Sequence, residues 1–198
     1  MDMPKGWHSR GYLPHFNAGE TLQMVTFREA GSLPRELVEY WRRRLGDCPD
    51  EAAKAEYEAA VEQHLDNGHG PAHLQQAEIA TLVESALLHF DDTRYRLLAW
   101  VIMPNHVHAL LLPLAPYDLT GILQSWKGWS AREANRILGR AGQFWAPDYF
   151  DRYIRDGEHL TRAAGYIETN PVYARLCRYP DQWQWGSARA RREGTQTT

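Results

Sequence analysis

The order of apolar and polar residues divides the chain into strands and helices. Gln23–Arg28 alternates over a short run, which predicts a first strand. Tyr95–Met103 and His106–Leu112 are mostly apolar, and the turn residues Pro104-Asn105 between them predict that the two strands pair as a hairpin. Apolar residues recur at helical spacing in Ala77–Phe90, which predicts a helix before this hairpin.

Three further elements are predicted after the hairpin. They are a helix from Asp118 to about Leu138, a strand over Asp148–Arg155 and a helix from about Gly157 to Asn170. We expect Pro171 to end the last helix, because a residue that precedes proline disfavours helical backbone angles.

This order of elements predicts an α+β fold. Strands joined by a hairpin, with helices between the others, favour a ferredoxin-like antiparallel sheet with helices packed on one face. We expect one domain over residues 1–198, with an irregular N-terminal arm (1–20), a helical insertion after the first strand (35–75) and a flexible tail (186–198).

Composition restricts the classes of protein to which the chain can belong. Of its 198 residues, 43% are hydrophobic and 24% are charged, as in ordinary globular proteins. No apolar run approaches the roughly 20 residues that cross a bilayer, and the N-terminus lacks the apolar segment of a secretory signal. The two cysteines, Cys48 and Cys177, match no zinc spacing and no disulfide framework. We therefore expect a cytoplasmic protein with no membrane partner.

Charge is distributed unevenly along the chain, although the net charge is only −3. Residues 47–93 contain 11 acidic residues and 1 basic residue, whereas residues 94–198 contain 9 acidic and 14 basic residues. The C-terminal half can therefore present a basic face to phosphate, because screening makes local charge more important than the total. A solvated surface of mixed charge explains the same distribution equally well.

His106 and His108 lie at the start of the second strand of the predicted hairpin. Side chains two residues apart on a strand point to the same face. Two neutral imidazoles placed in this way can bind one divalent metal ion. Pairs of this kind also occur by chance, so other residues must decide whether they form a site.

The last predicted helix carries a second candidate set. His159, Arg162, Tyr166 and Asn170 lie along one stripe of this helix, opposite its apolar side. A tyrosine hydroxyl can attack phosphorus when a metal polarises the phosphate, and an asparagine oxygen can ligate that metal. The alternative is that Tyr166 is a half-buried helix tyrosine and Asn170 a helix cap. Tyr153 is a rival nucleophile, although its aromatic strand is more typical of packing.

The motif VIMPNHVHALLLP contains both histidines, and YIETNPVYARL follows about sixty residues later. In this order the two motifs resemble the single-tyrosine HUH transposases, and most closely their REP-associated tyrosine transposase group. Other stretches that fit this group are WHSRGYLPHF, QMVTFR, RYRLLAWVIMPNHVH, SWKGWSAREANR, FWAPDYFDRYIRD and WQWGSAR. The resemblance covers nearly the whole chain and is weakest in residues 47–75.

The resemblance implies a role for each candidate residue. His106 and His108 match the two metal-binding histidines of that family. Tyr166 matches the nucleophile, and Asn170 matches the position of a third metal ligand. The implied cofactor is Mg²⁺ or Mn²⁺, and the implied fold is the same ferredoxin-like sheet.

The resemblance also implies a substrate and a reaction. The substrate is single-stranded DNA beside a hairpin of a repetitive extragenic palindrome. Cleavage forms a 5′-phosphotyrosine intermediate, frees a 3′-hydroxyl and is followed by strand transfer. Relatives act either as monomers or as homodimers, and the sequence does not decide between these two states.

The chain departs from the family pattern after the nucleophile. Relatives commonly have NPVKAGLV where this chain has NPVYARLC, so Tyr173 replaces a lysine and Arg175 replaces a glycine. If that lysine contacts the DNA backbone, the contact is lost or moves to Arg175. The usual WSSA is WGSA here, at Trp185–Ala188. Neither change affects the implied metal ligands or the nucleophile.

Basic and aromatic residues elsewhere are candidate DNA contacts, because cations bind phosphate and aromatic rings stack on single-stranded bases. These candidates are Trp7, His8, Arg10, Lys127, Arg132, Arg152, Arg155 and Arg162. Each of them is equally well explained as an ordinary surface or packing residue.

Other functions compete with the transposase hypothesis. A domesticated protein that binds DNA hairpins with little catalysis would keep the same fold. A rolling-circle or relaxase-type nickase would use the same site, although the small size of the chain counts against it. A metal oxygenase would require a carboxylate as third ligand in a barrel of many strands, and this chain is too helical for that.

Overall fold

The structure is a computed structural model that describes residues 7–9, 14–16, 20–45, 51–66, 68 and 70–195. The strands are β1 (Trp7–Ser9), β2 (Pro14–Phe16), β3 (Gln23–Glu29), β4 (Tyr95–Ile102), β5 (His106–Pro113) and β6 (Trp145–Tyr153). The helices are α1 (Arg35–Leu45), α2 (Glu51–Asp66), α3 (Ala77–Leu88), α4 (Leu119–Ile137), α5 (Gly157–Tyr173) and α6 (Ser187–Thr195).

Four strands form one antiparallel sheet in the order β4-β5-β3-β6. The strands β4 and β5 pair as the predicted hairpin, and β3 lies between β5 and β6. Helix α3 precedes β4, and α4 connects β5 to β6, which is the alternation of a ferredoxin-like fold. The predicted α+β class with an antiparallel sheet is therefore confirmed.

Helices cover both faces of this sheet, whereas the sequence predicted helices on one face. The crossover helices α3 and α4 pack on one face, in a core that includes Phe27 and Ile102. Helix α5 packs on the other face, against Val101 and Leu110. The physical reason is that successive residues of β4 and β5 are apolar, so both faces of these strands require cover.

The inserted helices α1 and α2 also lie against the second face of the sheet. They share a small apolar core that is centred on Trp41 and Tyr57. The Tyr57 ring contacts the ring of Phe150 on β6 at a centroid distance of 5.0 Å. Both helices lie within the predicted insertion, and their packing brings α2 next to α5.

Helix α5 does not end at Asn170 as predicted, because it contains Pro171 and continues to Tyr173. Proline removes only one backbone N–H, and the Ala174 N–H still donates to the Asn170 carbonyl at 2.9 Å. The helix ends where Arg175 adopts a positive φ of 60°. Asn170 is consequently held within the helix, with its side chain fixed toward the sheet.

Three smaller features differ from the predictions. The segment predicted as an irregular arm contains two short strands, β1 and β2, which pair in antiparallel orientation. Strand β6 begins at Trp145, three residues before the predicted start at Asp148. The segment predicted as a flexible tail contains helix α6, because the Ser187 hydroxyl donates to Glu168 on α5 at 2.6 Å. No helix among the described residues is long and apolar enough to cross a membrane.

Candidate functional site

The two histidines lie side by side on the α5 face of the sheet. His106 and His108 are fully buried, and their Nε2 atoms are 3.0 Å apart. The turn that precedes them is closed by a hydrogen bond of 2.8 Å, which the Met103 N–H donates to the His106 carbonyl. Because β5 starts directly after this turn, the tight hairpin fixes the position of both rings.

Two hydrogen bonds of Asn105 orient the His106 ring. The Nδ2 of Asn105 donates to the carbonyl of Leu65 at 3.2 Å, which fixes the direction of the amide. The Oδ1 of Asn105 then accepts from the Nδ1 of His106 at 2.7 Å. Since the proton of His106 is on Nδ1, its Nε2 carries a free lone pair.

A hydroxyl on the neighbouring strand orients the His108 ring. The Nδ1 of His108 lies 2.7 Å from the Oγ1 of Thr26, which is its register partner on β3. A hydroxyl can either donate or accept, so Thr26 suits both tautomers of His108. With Thr26 as acceptor, the Nε2 of His108 also presents a lone pair toward His106.

Burial keeps both imidazoles neutral. It lowers the pKa of His106 well below the ordinary value of 6.5, and the neighbouring His108 lowers the pKa further. Burial also lowers the pKa of His108. Neutral imidazole is the form that binds metal ions, so this pair is suited to a cation at physiological pH.

Helix α5 brings Tyr166 and Asn170 to the histidines. The Tyr166 ring packs edge-on against the His108 ring, with centroids 5.5 Å apart. The Nδ2 of Asn170 donates to the Tyr166 hydroxyl at 3.1 Å and lies 3.5 Å from the Nε2 of His108. The stripe predicted on this helix therefore meets the histidine pair predicted on the strand.

The Oδ1 of Asn170 is buried and has no hydrogen-bond partner. A buried polar atom without a partner costs about 1–3 kcal/mol, and such atoms are rare in folded proteins. A half-turn of the amide would exchange Oδ1 with Nδ2 and direct the oxygen toward His108. The orphaned oxygen is thus available as a ligand for a cation at the histidine pair.

The environment of Tyr166 disfavours the phenolate in the absence of added positive charge. Burial raises the pKa of its hydroxyl above the ordinary value of 10, and the charge and hydrogen bond of Glu62 and the charge of Asp66 raise it further. The hydrogen bond from Asn170 acts in the opposite direction. A cation beside the hydroxyl would offset the two carboxylates.

Asp66 is a site residue that the sequence interpretation missed. It is the last residue of α2, and its Oδ1 lies 4.0 Å from the Nε2 of His106. This oxygen is buried without a hydrogen-bond partner, and burial raises the pKa of the carboxyl to about 6. One signal was present in the sequence, because an acidic residue at a helix C-terminus opposes the helix dipole.

The donor set combines two neutral imidazole nitrogens with oxygen atoms, a mixture that divalent cations accept. The two imidazole nitrogens are 3.0 Å apart, which is close enough for both to bind one ion. Asn170 adds an amide oxygen, and Asp66 lies within reach of the same space. Among the described residues, no group of three or more His, Cys, Asp or Glu side chains forms a metal cage.

The predicted DNA contacts separate into two groups about the sheet. Lys127 and Arg132 lie on α4, across the sheet from Tyr166. The ammonium of Lys127 donates to the carbonyls of Ala146 and Pro147 at 2.8 and 3.1 Å, which holds the start of β6. These two cations therefore lie on the face of the sheet opposite Tyr166.

The other arginines lie on the same side as Tyr166. The positive charges of Arg152, Arg162 and Arg155 all lower the pKa of His159, whose own burial is the largest cause. The three arginines therefore form one cationic group at the junction of β6 and α5, around a histidine whose lowered pKa keeps it neutral. Of the remaining predicted contacts, Trp7 and His8 belong to β1, and Arg10 lies outside the described residues.

Tyr153, the rival nucleophile, lies on β6, which is two strands away from β5. Its ring faces the guanidinium of Arg155 at 5.4 Å. Tyr166, in contrast, contacts both His108 and Asn170. Of the two tyrosines, Tyr166 is therefore the one that lies at the histidine pair.

Comparison with solved structures supports the fold. The chain is similar to a structure described as the REP-associated tyrosine transposase bound to a REP hairpin, with a TM-score of 0.53 and 14% sequence identity over 87% of this chain and 79% of that chain. A protein of Deinococcus radiodurans R1, named as a candidate transposase, has 18% identity over 82% of this chain and 96% of that chain, but its TM-score of 0.31 carries no argument. None of the curated protein sequences compared with the chain matches it.

A family comparison identifies the segment that contains the site. Residues 75–170 match the family described as "Transposase IS200 like". This segment extends from the start of α3 to Asn170 and includes the histidine pair and Tyr166. The predicted kinship is thus confirmed for residues 75–170, which match the IS200-like transposase family.

Proposed function

We propose that the chain cleaves single-stranded DNA beside hairpins and transfers the cut strand, with Tyr166 as the nucleophile. The match of residues 75–170 to the IS200-like transposases supports DNA strand chemistry. The similar structure described above is bound to a REP hairpin, which supports a hairpin of repetitive palindromic DNA as the partner. The proposed cofactor is Mg²⁺ or Mn²⁺.

One observation carries this proposal. The amide nitrogen of Asn170 lies within 3.5 Å of both the Tyr166 hydroxyl and the Nε2 of His108. The side chain of Asn170 therefore contacts both the proposed nucleophile and an imidazole that could bind a metal ion. This arrangement would bring a phosphate that Tyr166 attacks next to any cation that His106 and His108 hold.

The proposed cleavage step is a transesterification at phosphorus. The Tyr166 oxygen forms a bond to the phosphorus, and the bond from phosphorus to the 3′ oxygen of the preceding nucleotide breaks. The phenol loses its proton, and the departing 3′ oxygen gains one to become a hydroxyl. The products are a 5′-phosphotyrosine and a free 3′-hydroxyl, and attack by another 3′-hydroxyl reverses the step and joins strands.

The residues around Tyr166 have separate roles in this proposal. His106, His108 and Asn170 would hold the cation, whose positive charge polarises the scissile phosphate. The hydrogen bond between Asn170 and the Tyr166 hydroxyl, which either end of the amide can form, directs the hydroxyl into the site. Asn105 and Thr26 keep the two imidazoles in the orientation that presents their Nε2 atoms.

The test is the cleavage of labelled oligonucleotides that form a hairpin with a single-stranded flank. The protein is incubated with these in Mg²⁺ or Mn²⁺, and the covalent adduct is detected by its slow migration in a denaturing gel. We expect an adduct that disappears with EDTA and with Tyr166→Phe. The matched control is Tyr153→Phe, which should form the adduct at the wild-type level.

The other outcomes separate the competing functions. Tight hairpin binding without an adduct in any metal would contradict the proposal and favour a domesticated binder. Cleavage that requires no hairpin would favour a nickase of the rolling-circle or relaxase type. An adduct that survives Tyr166→Phe but not Tyr153→Phe would assign the nucleophile to Tyr153.

A further inference from the structure

A cavity of about 380 Å³ opens beside Tyr166. It lies between β3 and β6 of the sheet, helix α2 and helix α5. Its volume falls within the range of roughly 300–1,000 Å³ that is typical of small-ligand sites. The mechanism described above uses Tyr166 but leaves this cavity without a role.

The floor of the cavity is apolar. Met24 and Phe150 contribute from the sheet, Val61 from α2 and Ala163 from α5. Phe150 is half-buried, because the Tyr57 ring covers part of it at a centroid distance of 5.0 Å while another part lines the cavity. An aromatic ring in an apolar pocket is a suitable surface for stacking a flat heterocycle.

The polar part of the lining carries both charges. Arg152 and Arg162, beside His159, carry permanent positive charges, whereas Glu62 and Asp151 contribute carboxylates. Arg162 forms an ion pair with Glu158 on the exposed surface of α5. Exposed pairs of this kind contribute little stability, so Arg162 can exchange its partner for a phosphate at low cost.

We propose that this cavity binds one unstacked nucleotide, namely the nucleotide directly next to the scissile phosphate. Its base lies on Phe150 against the apolar floor, and a phosphate of its strand lies at Arg152 and Arg162. The inference rests on the proposed function, because it is the attack of Tyr166 on phosphorus that fixes which nucleotide is near the cavity.

The position of Tyr166 explains why a base should leave its stack. The tyrosine is half-buried and lines the cavity, so a phosphate reaches its hydroxyl group through this cleft. A strand that enters a narrow cleft must separate neighbouring bases, as in enzymes that extrude a nucleotide to reach a buried site. An apolar pocket beside the phosphate compensates for the lost stacking.

The experiment uses the full chain and the hairpin oligonucleotides of the cleavage assay. The cut position is first mapped with the wild-type protein. Single abasic sites are then introduced at each of the three nucleotides on either side of the cut. Affinity is measured by fluorescence anisotropy with Tyr166→Phe, so that cleavage does not interfere. We expect one abasic position, adjacent to the cut, to weaken binding by about tenfold, which is the scale of one base stacked on an aromatic ring.

Protein variants show whether that base occupies this cavity. Phe150→Leu keeps an apolar side chain, which preserves the packing on Tyr57, but it removes the aromatic surface. It should weaken binding of the intact oligonucleotide by about tenfold and have no further effect on the oligonucleotide with the sensitive abasic site. The matched control is Tyr117→Leu, an exposed aromatic residue before α4, which should change neither affinity.

Each outcome is decisive for the pocket and distinct from failure of the proposed function. If adducts form but every abasic position changes affinity by less than twofold, the pocket inference is overturned and the cleavage function stands. If one abasic position weakens binding but Phe150→Leu weakens binding of that abasic oligonucleotide as much as binding of the intact one, the base lies elsewhere and the inference is overturned. If no oligonucleotide is bound or cleaved, the proposed function itself fails.

Discussion

The carboxylate of Asp66 should destabilise the metal-free protein, and its neutral isostere should therefore stabilise it. Burial raises the pKa of this group from 3.8 to about 6. A carboxyl whose pKa is higher in the folded state binds protons more tightly there, so stability is lost as pH rises through the interval from 3.8 to 6. The full penalty is present above pH 6, and it is absent below pH 3.8.

The magnitude follows from the size of this shift. Two pKa units correspond to about 3 kcal/mol, and partial solvent screening of a side chain that is 29% exposed reduces the figure to about 1–2 kcal/mol. For a protein of this length, the gain corresponds to an increase in Tm of about 2–6 °C. Asp66→Asn should show this increase at pH 8 in EDTA, measured by calorimetry.

Controls separate this effect from a general change in charge. Glu78→Gln, which removes an exposed carboxylate at the start of α3, should shift stability by less than about 0.5 kcal/mol. Excess Mn²⁺ should stabilise the wild type more than Asp66→Asn, because the carboxylate lies 4.0 Å from the Nε2 of His106. A lower Tm for Asp66→Asn in EDTA, or a gain that persists unchanged at pH 3.5, would refute the reasoning.

Three further predictions concern residues of the fold and the site. Burial lowers the pKa of Lys127 from 10.5 to about 8. The free energy of unfolding of the wild type, relative to that of Lys127→Met, should therefore rise by about 2–3 kcal/mol between pH 7 and 10.5. A difference between the two proteins that stays the same at every pH would contradict this. Asn105→Ala leaves the ring Nδ1–H of His106 and the carbonyl of Leu65 without hydrogen-bond partners. It should lower the free energy of unfolding in urea by about 2–3 kcal/mol. A loss below about 0.5 kcal/mol would argue against the proposed orientation of the ring. Asn170→Ala should weaken Mn²⁺ binding by about tenfold or more in calorimetric titration, and an unchanged affinity would exclude its side chain as a ligand.

The parts of the site that sequence reasoning predicted are those fixed by local geometry. The hairpin turn sets the direction of His106 and His108, and helical periodicity puts Tyr166 and Asn170 on one stripe. Neither inference required knowledge of distant contacts. Bringing the strand and the helix together did require the family resemblance, because nothing in either segment alone specifies that they meet.

The parts that sequence reasoning missed depend on packing between distant segments. Asp66 and Glu62 reach the site because Tyr57 of α2 packs on Phe150 of β6, and no local pattern specifies this docking. Thr26 lies beside His108 because of the register between β3 and β5. The expected helix end at Asn170 was wrong because a proline one turn from the end removes only one hydrogen bond.

The most direct test of the central claim is to identify the residue that carries the DNA. The adduct formed in Mn²⁺ is digested with nuclease and trypsin, and the modified peptide is sequenced by mass spectrometry. Cleavage after Arg162 and Arg175 yields a peptide that contains Tyr166 and Tyr173, whereas Tyr153 lies in a separate short peptide. The account predicts a residual nucleotide on Tyr166. A nucleotide on Tyr153 or Tyr173, or an adduct that forms equally well in EDTA, would contradict it.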